Sequence, residues 1–469
     1  MKKISKIVYI SLFVVSISPC YATQKSFKQN HFTVKDYPRL LRDVRQDLSQ
    51  GYIKKALQNT SSISYSIQLQ NLKELELGRL WQLNGNYKDS IIEYDKAIKS
   101  IPKTKKQYLE QVKQLLSNKD YYNYYDVTTS YDIPDYEITF LYVYQALNYL
   151  EDNNVKKALQ SLNSIERAKL WYDKQNILAA GIKHIGHKVL DSKKISNNRL
   201  GLDSFKDLTQ MLEFSKRIPD SYGNPMVYYI QALLDAVVSK NYQIALVDIR
   251  NAQKYTVGNK YIDQTADEFK KAINSQTSPF SMGMGRLVVL YEQGLVYPRK
   301  SSKLSINLGD IGLKNINLPV YSVDYDLFEP KSVVISANGK VIADTYTETL
   351  LDTTLFAMKS LVEEYSKIIT QNVVIEAFND AYKSKFSLGG LLGSTLKFDF
   401  SQQNSNRVDL RSWLLLPNSV DLFEHQLDSG NYTVKVNAVN QDVTIRQGKT
   451  TLLWIVDIGK FKKVYYFIF

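Results

Sequence analysis

Short helical hairpins that share one spacing constrain this chain more than any other feature. The clearest runs over Leu77–Pro102, LGRLWQLNGNYKDSIIEYDKAIKSIP, where apolar residues recur at three and four and a Gly-containing turn separates two helices. A two-helix unit of this size cannot bury its apolar face alone, so neighbouring units must stack on one another. The pattern predicts an array of helix pairs.

The residue types in this hairpin fit the tetratricopeptide template of small, aromatic, turn and stop residues. Ser90 stands where the template usually has Ala. Arrays of this kind present surfaces that bind other proteins and rarely carry out chemistry. The matching positions are Gly78, Trp81, Gly85, Tyr87, Tyr94, Ala97 and Pro102.

The repeats are unevenly spaced. The small residues that open successive second helices are Ala56, Ser90, Ala158 and Ala245, at intervals of 34, 68 and 87 residues. We therefore expect an irregular helical repeat domain over residues 34–275. An insertion around Leu190–Ser204 and a rebuilt unit in the Tyr-rich stretch Asp120–Asp126 would account for the irregularity.

The pattern changes after Ser275, and residues 286–469 predict an α+β domain with a small antiparallel β module. Arg286–Pro298 alternates like a strand or hairpin. Asn338-Gly339 is typical of a type I′ hairpin turn. One-sided apolar spacing predicts a helix from about Glu348 to Lys385. Two further hairpin turns are expected at Asp428–Asn431 and Arg446–Lys449.

The segment VYYFIF places Tyr465, Phe467 and Phe469 on one face of a strand. An aromatic residue in this position also occurs in the strands of outer-membrane barrels, but those need many alternating strands. Because about half of the chain has a helical pattern, we expect a strand that closes the core.

Residues 1–22 have the pattern of a secretory signal peptide. A basic start is followed by the apolar run Ile7–Ile17 and the small residues Cys20 and Ala22. Two outcomes remain open. Cleavage after Ala22 would release a periplasmic protein, whereas lipidation of Cys20 would give a lipoprotein associated with the outer membrane. Pro19 departs from the usual lipidation motif.

The net charge of +13 is spread along the chain. A basic exported surface could meet anionic lipid, lipopolysaccharide or peptidoglycan, but the abundance of Lys, Asn, Ile and Tyr also fits an AT-rich genome. No clustered basic patch predicts a nucleic-acid partner. Cys20 is the one cysteine, so neither a disulfide nor a thiolate metal site is expected.

No motif for a nucleophile, phosphate loop or dinucleotide site is present. His184, His187 and Asp191 share one helical face and could be zinc ligands, but amphipathic helices commonly arrange polar residues in this way. The pair Glu363-Glu364 fits a solvated helix face. We therefore expect no metal, no cofactor and no enzymatic activity.

First-helix positions would line the groove of the array, and in the clearest unit they are Leu72, Leu75, Arg79 and Gln82. Arg79 could bind a carboxylate of a partner, or pair locally with Glu76 or an acid one turn away. Corresponding positions in later units are nearly all apolar, which open water would disfavour. The groove is expected to be filled by the chain's own helices or β module, or else by a partner helix.

Asp409, Arg411 and Trp413 alternate, so on a strand they would share one face. Arg stacked on Trp beside an acid could form a binding surface. The alternative is a structural ion pair that covers the sheet.

Several segments in order resemble a family of bacterial envelope proteins with degenerate tetratricopeptide repeats and a β-rich C-terminal half. They are YE…ALNYLEDNNVKKAL, NPMVYYIQALL, LVVLYEQGLVYP, LPVY, DLRSWLLLPNSV and LDSGNYTVKV. The resemblance implies an exported lipoprotein without enzyme activity, often encoded beside lipoproteins similar to penicillin-binding-protein activators. Pro19 is the departure from that family.

The expectation from sequence is a non-catalytic exported scaffold that binds other envelope proteins and supports assembly of the envelope or its peptidoglycan. The alternative is a periplasmic glycan-binding or peptidoglycan-binding protein, because aromatic residues make up 12% of the chain and rings stack on sugars.

Overall fold

In the described part of this α+β protein, the helices lie between residues 37 and 275, apart from one over residues 353–365. The computed structural model describes residues 36–63, 65, 69–101, 131–169, 206–256, 258–307, 313–321, 329–365, 368 and 408–469. The helices are α1 Tyr37–Leu40, α2 Arg42–Ser49, α3 Ile53–Ser62, α4 Gln70–Leu83, α5 Tyr87–Ser100, α6 Asp135–Glu151, α7 Val155–Lys169, α8 Lys206–Ser215, α9 Pro225–Val238, α10 Tyr242–Gln253, α11 Lys260–Ser275 and α12, described over 353–365.

The strands that the structure describes follow α11, and α12 lies between the sixth and the seventh of them. They are β1 Met284–Gln293, β2 Lys300–Asn307, β3 Leu313–Val320, β4 Ser332–Ala337, β5 Lys340–Tyr346, β6 Glu348–Asp352, β7 Ser419–Asp428, β8 Gly430–Val436, β9 Val439–Ile445, β10 Thr450–Ile458 and β11 Phe461–Ile468.

Asparagine side chains fix where several helices begin. Asn86, Asn224, Asn241 and Asn259 each precede a helix, and the side-chain oxygen of each accepts a backbone N–H from the first turn. These contacts satisfy donors that a helix start leaves without partners. The starts of α5, α9, α10 and α11 are therefore determined by local sequence.

Consecutive helices pack in pairs, including α4 with α5, α6 with α7 and α9 with α10. In the first pair, a Cβ at Gly78 would lie 2.4 Å from the Tyr94 ring, so only glycine allows the two helices to approach this closely. Ser90, the departure from the template, donates a hydrogen bond of 2.7 Å to the carbonyl of Gly78. The hydroxyl therefore joins the two helices where Ala would offer only a methyl group.

One five-stranded mixed sheet has the order β11-β10-β1-β7-β6, which we call the central sheet. Its middle strand β1 pairs parallel with β10 and antiparallel with β7. Every residue of β1 except Met284 is buried. The run expected to alternate is thus a single strand covered on both faces.

A second sheet has the order β5-β4-β8-β9, which we call the outer sheet, and β2 pairs with β3 separately. The predicted hairpin at Asn338-Gly339 joins β4 to β5, with positive φ at both residues, as a type I′ turn requires. The expected turns at 428–431 and 446–449 do not close hairpins. Each carries the chain from one sheet to the other.

The predicted helix at 348–385 begins later than expected. Glu348–Asp352 forms β6, and the helix starts after the Asp352 carboxylate, whose Oδ1 accepts the N–H of Leu355 at 3.0 Å. The apolar residues Leu350 and Leu351 are buried in strand geometry because β6 pairs with β7. Residues 369–385 lie outside the described residues, as do the expected insertion at 190–204 and the Tyr-rich stretch 120–126.

Residues Thr33–Phe469 form one compact unit, in which the central sheet lies between the helices and the outer sheet. Toward the helices, Glu292 of β1 meets Arg79 of α4. Toward the outer sheet, the hydroxyl of Tyr291 is 3.4 Å from Asn437 Nδ2. Adjacent residues of β1 therefore serve opposite layers, as strand geometry dictates. The predicted aromatic face of β11 is confirmed as core, since Tyr465, Phe467 and Phe469 are all buried.

Candidate functional site

Arg79 lies in the interior and has no exposed surface. Its guanidinium forms an ion pair with Glu292, donates to Gln82 Oε1 at 2.8 Å, and lies 3.9 Å from the centre of the Tyr144 ring. Burial alone would lower the pKa of Arg79, but the charge of Glu292 and three neighbouring tyrosines together outweigh burial and raise that pKa. The predicted pairings of Arg79 with a carboxylate of a partner and with Glu76 or an acid one turn away are both wrong, because its ion-pair partner is Glu292 in β1.

Gln82 also forms its hydrogen bonds with groups inside the protein. Its Nε2 donates to the Tyr144 carbonyl and to Asn148 Oδ1, both at 2.8 Å. Its own carbonyl accepts the hydroxyl of Tyr465 at 3.2 Å. Gln82 therefore joins α4, α6 and β11, and its predicted role in binding an external partner is wrong.

Two buried glutamates of the helices hold a segment of the C-terminal half by its backbone. Glu137 on α6 accepts the N–H of Trp413 at 2.8 Å, and Glu76 on α4 accepts the N–H groups of Leu414 and Leu415 at 2.8 and 3.1 Å. The inner face of the helices is thus occupied by the chain itself. Of the three expected occupants, which were the chain's own helices, its β module and a partner helix, the β-containing half is observed there, through its irregular segment 413–415.

Burial is the largest influence on the pKa of both glutamates. It raises the pKa of Glu76 to about 8, although the Leu414 amide, the Tyr37 hydroxyl and Arg45 oppose the rise. It raises the pKa of Glu137 to about 7 against the Trp413 amide and two tyrosine hydroxyls. Both carboxyls are fully enclosed, so no substrate reaches them in this state.

Trp413 is an interior anchor. It is fully buried, and its ring meets Tyr94 and Tyr144 edge to face at centroid distances of 6.0 and 5.8 Å. The segment around it is irregular and pairs with no strand. The predicted strand face that Trp413 would share with Asp409 and Arg411 is therefore wrong, and its ring cannot stack on an external sugar.

Asp409 and Arg411 form the structural ion pair that the alternative interpretation expected. Arg411 Nη2 lies 2.7 Å from Asp409 Oδ2, and Arg411 Nε lies 2.9 Å from Oδ1. Burial alone would raise the pKa of Asp409, but Arg411 and Arg299 together outweigh burial and hold that pKa below its usual value. Arg411 packs over Tyr131, at 5.5 Å from the ring centre.

The sequence reasoning missed a second buried charged cluster. Arg286 of β1 pairs with Glu424 of β7 at 3.0 Å and also with Glu268 of α11. Glu424 accepts the hydroxyl of Tyr229 and that of Thr265. The available signal was a lone charge at each end of the apolar run RLVVLYE, since Arg286 and Glu292 stand where a buried strand is otherwise aliphatic.

Within the described ranges, no three His, Cys, Asp or Glu side chains stand close enough to hold a metal ion. Among the same residues, no helix is both long enough and apolar enough to span a bilayer. Cys20, Ala22, His184, His187 and Asp191 lie outside the described residues. Their predicted roles stay predictions.

Several large apolar side chains are exposed on the described part of the chain. Val341, Ile342 and Tyr346, three of the nine large exposed ones in the described chain, lie on the seven-residue edge strand β5. A register shift opposite Ile335 and Ser336 leaves Ile342 as an extra residue in β5. Such a bulge turns neighbouring side chains to the same face, which places Val341 and Ile342 in solvent.

An open cavity of about 460 Å³ lies at the end of β5. Its lining residues are Lys260, Glu329, Pro330, Tyr346, Thr347 and Glu348. The Lys260 and Glu348 side chains pair at 3.1 Å across its rim.

Comparison of the chain with protein-family models, with curated proteins and with solved structures found no match in any of the three. The resemblance to the envelope family stays a prediction.

Proposed function

We propose that this protein is an exported, non-catalytic scaffold of the bacterial cell envelope whose helix pairs act as tetratricopeptide-like repeats. Its partner is another envelope protein. Because the inner face is occupied by residues 413–415, the partner binds the outward faces of the second helices.

One observation carries this assignment. Ile92 and Val247 each lie two residues after the small residue that opens their second helix, and they are 52% and 55% exposed. Ile244 lies one turn before Val247 and is 46% exposed. Equivalent positions of two repeats thus present β-branched side chains to water, where a solvated helix face is normally polar.

The arrangement of the acids favours a scaffold over an enzyme. Glu76 and Glu137, which have the raised pKa values that catalytic acids often show, are closed off and bind backbone amides of their own chain. Their geometry accounts for the pKa changes without a reaction. The basis for glycan binding through Trp413 is lost, because that ring is buried.

Site-specific photo-crosslinking in the native bacterium tests the proposal. A photoreactive residue at position 92 or 247 should capture one and the same envelope protein. Gln160 occupies the same template position in α7 and is also exposed, so it is the matched control and should capture much less of that protein. Absence of any envelope protein at 92 and 247, or equal capture at 160, would contradict the proposal.

A loss-of-binding variant completes the test. Ile92→Asp with Val247→Asp should abolish the captured complex while the thermal unfolding temperature stays unchanged, since both side chains are more than half exposed. Cell fractionation in the same strain should place the protein in the periplasm or with the outer membrane. Recovery in the cytoplasm would overturn the localisation.

A further inference from the structure

The open cavity beside Tyr346 is separate from the repeat faces assigned to the protein partner. Tyr346 is 59% exposed at the end of β5, and its ring borders the cavity together with Thr347 and Glu348. Lys260, at the start of α11, provides part of the lining. An aromatic ring left this exposed beside fixed charges is a feature that the core does not explain.

Backbone carbonyl groups beside the cavity already accept hydrogen bonds from side chains of the protein. The carbonyl of Tyr346 accepts the hydroxyl of Tyr261 at 2.6 Å, and the carbonyl of Thr349 accepts Asn259 Nδ2 at 3.1 Å. The bulge at Ile342 interrupts the regular edge on the other side. A peptide adding as a further strand would need those groups. A ligand here must be recognised by side chains.

The polar side chains at the cavity are held in position before a ligand arrives. Glu348 Oε2 accepts the backbone N–H of Lys260 at 2.8 Å, while its Oε1 lies 3.1 Å from Lys260 Nζ. The side chains of Lys260 and Glu348 are still 53% and 29% exposed. An ammonium has three donors and a carboxylate about four acceptor sites, so both groups keep hydrogen-bonding capacity toward a ligand.

The charges at the cavity define the ligand class. Lys260 contributes one positive charge, and Glu329 and Glu348 contribute two negative charges, so the lining is slightly acidic and does not favour an anion. Hydroxyl groups can donate to the carboxylates and accept from the ammonium. The apolar C–H face of a pyranose ring fits flat against a tyrosine ring, because both surfaces are rigid and exclude water together.

We infer that this cavity is a binding site for a neutral saccharide, with Tyr346 as the stacking platform and Glu348 and Lys260 as hydrogen-bonding partners. The site does not depend on the proposed protein-binding function, since none of its residues lies on α5 or α10. It is open at the surface, as a site for one or two units within a longer glycan must be.

Titration of the purified chain with a tetramer of N-acetylglucosamine and with cellotetraose tests the inference, using saturation-transfer NMR and calorimetry. At least one of these probes should bind. Tyr346→Ala should weaken binding about fivefold to tenfold, the range of one aromatic contact. Tyr346→Phe keeps the ring and should stay within about twofold of the parent.

Tyr52→Ala is the matched control, because Tyr52 is 61% exposed and does not line the cavity. It should leave saccharide affinity unchanged. Absence of binding by both probes at millimolar concentration would overturn the inference, as would equal weakening by Tyr52→Ala. A protein captured by a photoreactive residue at 346, with no saccharide signal, would assign the cavity to a protein and overturn it as well.

Discussion

Arg79 on α4 and Glu292 on β1 are 213 residues apart and form an ion pair that is fully enclosed by the protein. Glu292 also accepts the indole N–H of Trp454 on β10 at 2.8 Å. One carboxylate thus joins a helix to two central strands, so the helices and the central sheet share one interior.

Removing one member of this pair should be strongly destabilising. Arg79→Ala leaves the Glu292 charge buried without a partner, which costs about 3–5 kcal/mol of unfolding free energy. Urea denaturation at neutral pH measures the change. Lys96→Ala removes an exposed pair with Glu93 and should cost less than about 1 kcal/mol. The double variant Arg79→Met, Glu292→Met should be more stable than Arg79→Ala, and an Arg79→Ala cost below that of Lys96→Ala would contradict the prediction.

The pH dependence of stability should carry the signature of Glu76. An unfolded glutamate has a pKa near 4.5, whereas burial raises the pKa of Glu76 to about 8. Between these values the folded protein binds more protons than the unfolded chain, so this group makes stability fall as pH rises. Glu137, with a pKa of about 7, acts in the same direction.

Glu76→Gln removes one of these titrations and tests the assignment. Its unfolding free energy should decline less steeply than that of the parent between about pH 4.5 and 8. The amide places a donor opposite one of the two N–H groups of Leu414 and Leu415, so stability at the acidic end should drop by about 1–3 kcal/mol. An unchanged slope would show that Glu76 does not titrate in this range.

Trp413→Ala should destabilise the protein by about 3–5 kcal/mol, because it empties a space enclosed by Tyr94 and Tyr144. Chemical denaturation of the purified variant gives the value. Tyr52→Ala, on an exposed ring, should cost no more than about 0.5 kcal/mol. Equal small effects in the two variants would place Trp413 at the surface.

A pair of glycines tests how the β10–β11 turn docks on the helices. Gly459 and Gly448 have similar φ values of +64° and +67°, but a Cβ at 459 would lie 2.9 Å from the Ser49 carbonyl oxygen while one at 448 would meet nothing within 4 Å. Both Ala variants suffer the same backbone strain of about 1 kcal/mol. Gly459→Ala should therefore lower the melting temperature further than Gly448→Ala, and equal shifts would contradict the contact.

Local features were predictable from the sequence because their causes lie within a few residues. The α4–α5 hairpin follows from Gly78, Gly85 and the Asn86 cap, and the β4–β5 turn follows from Asn338-Gly339. The core face of β11 follows from aromatic alternation. Each of these depends on backbone preferences or on a period that the printed sequence displays.

The partners of the candidate residues could not be predicted in the same way. The alternation of β1 shows that Glu292 and Tyr291 face opposite sides of the sheet. It does not show that Glu292 pairs with Arg79 or that Tyr291 contacts Asn437. The turns at 428–431 and 446–449 have hairpin composition, yet the strands they join pair elsewhere. These contacts depend on the order in which strands and helices pack, and the local sequence pattern does not specify that order.

The parallel pairing of β1 with β10 has a consequence for how the molecule is completed. During synthesis the helices before β1 leave the ribosome first, and β1 has no neighbours on both sides until β7 and β10 have also been made. Until then, Glu76 and Arg79 stay hydrated, and the leucines around them are exposed and can form non-native contacts. The interior between the helices and the central sheet is therefore completed by long-range contacts. The helical half on its own would expose to water the side chains that the central sheet otherwise buries.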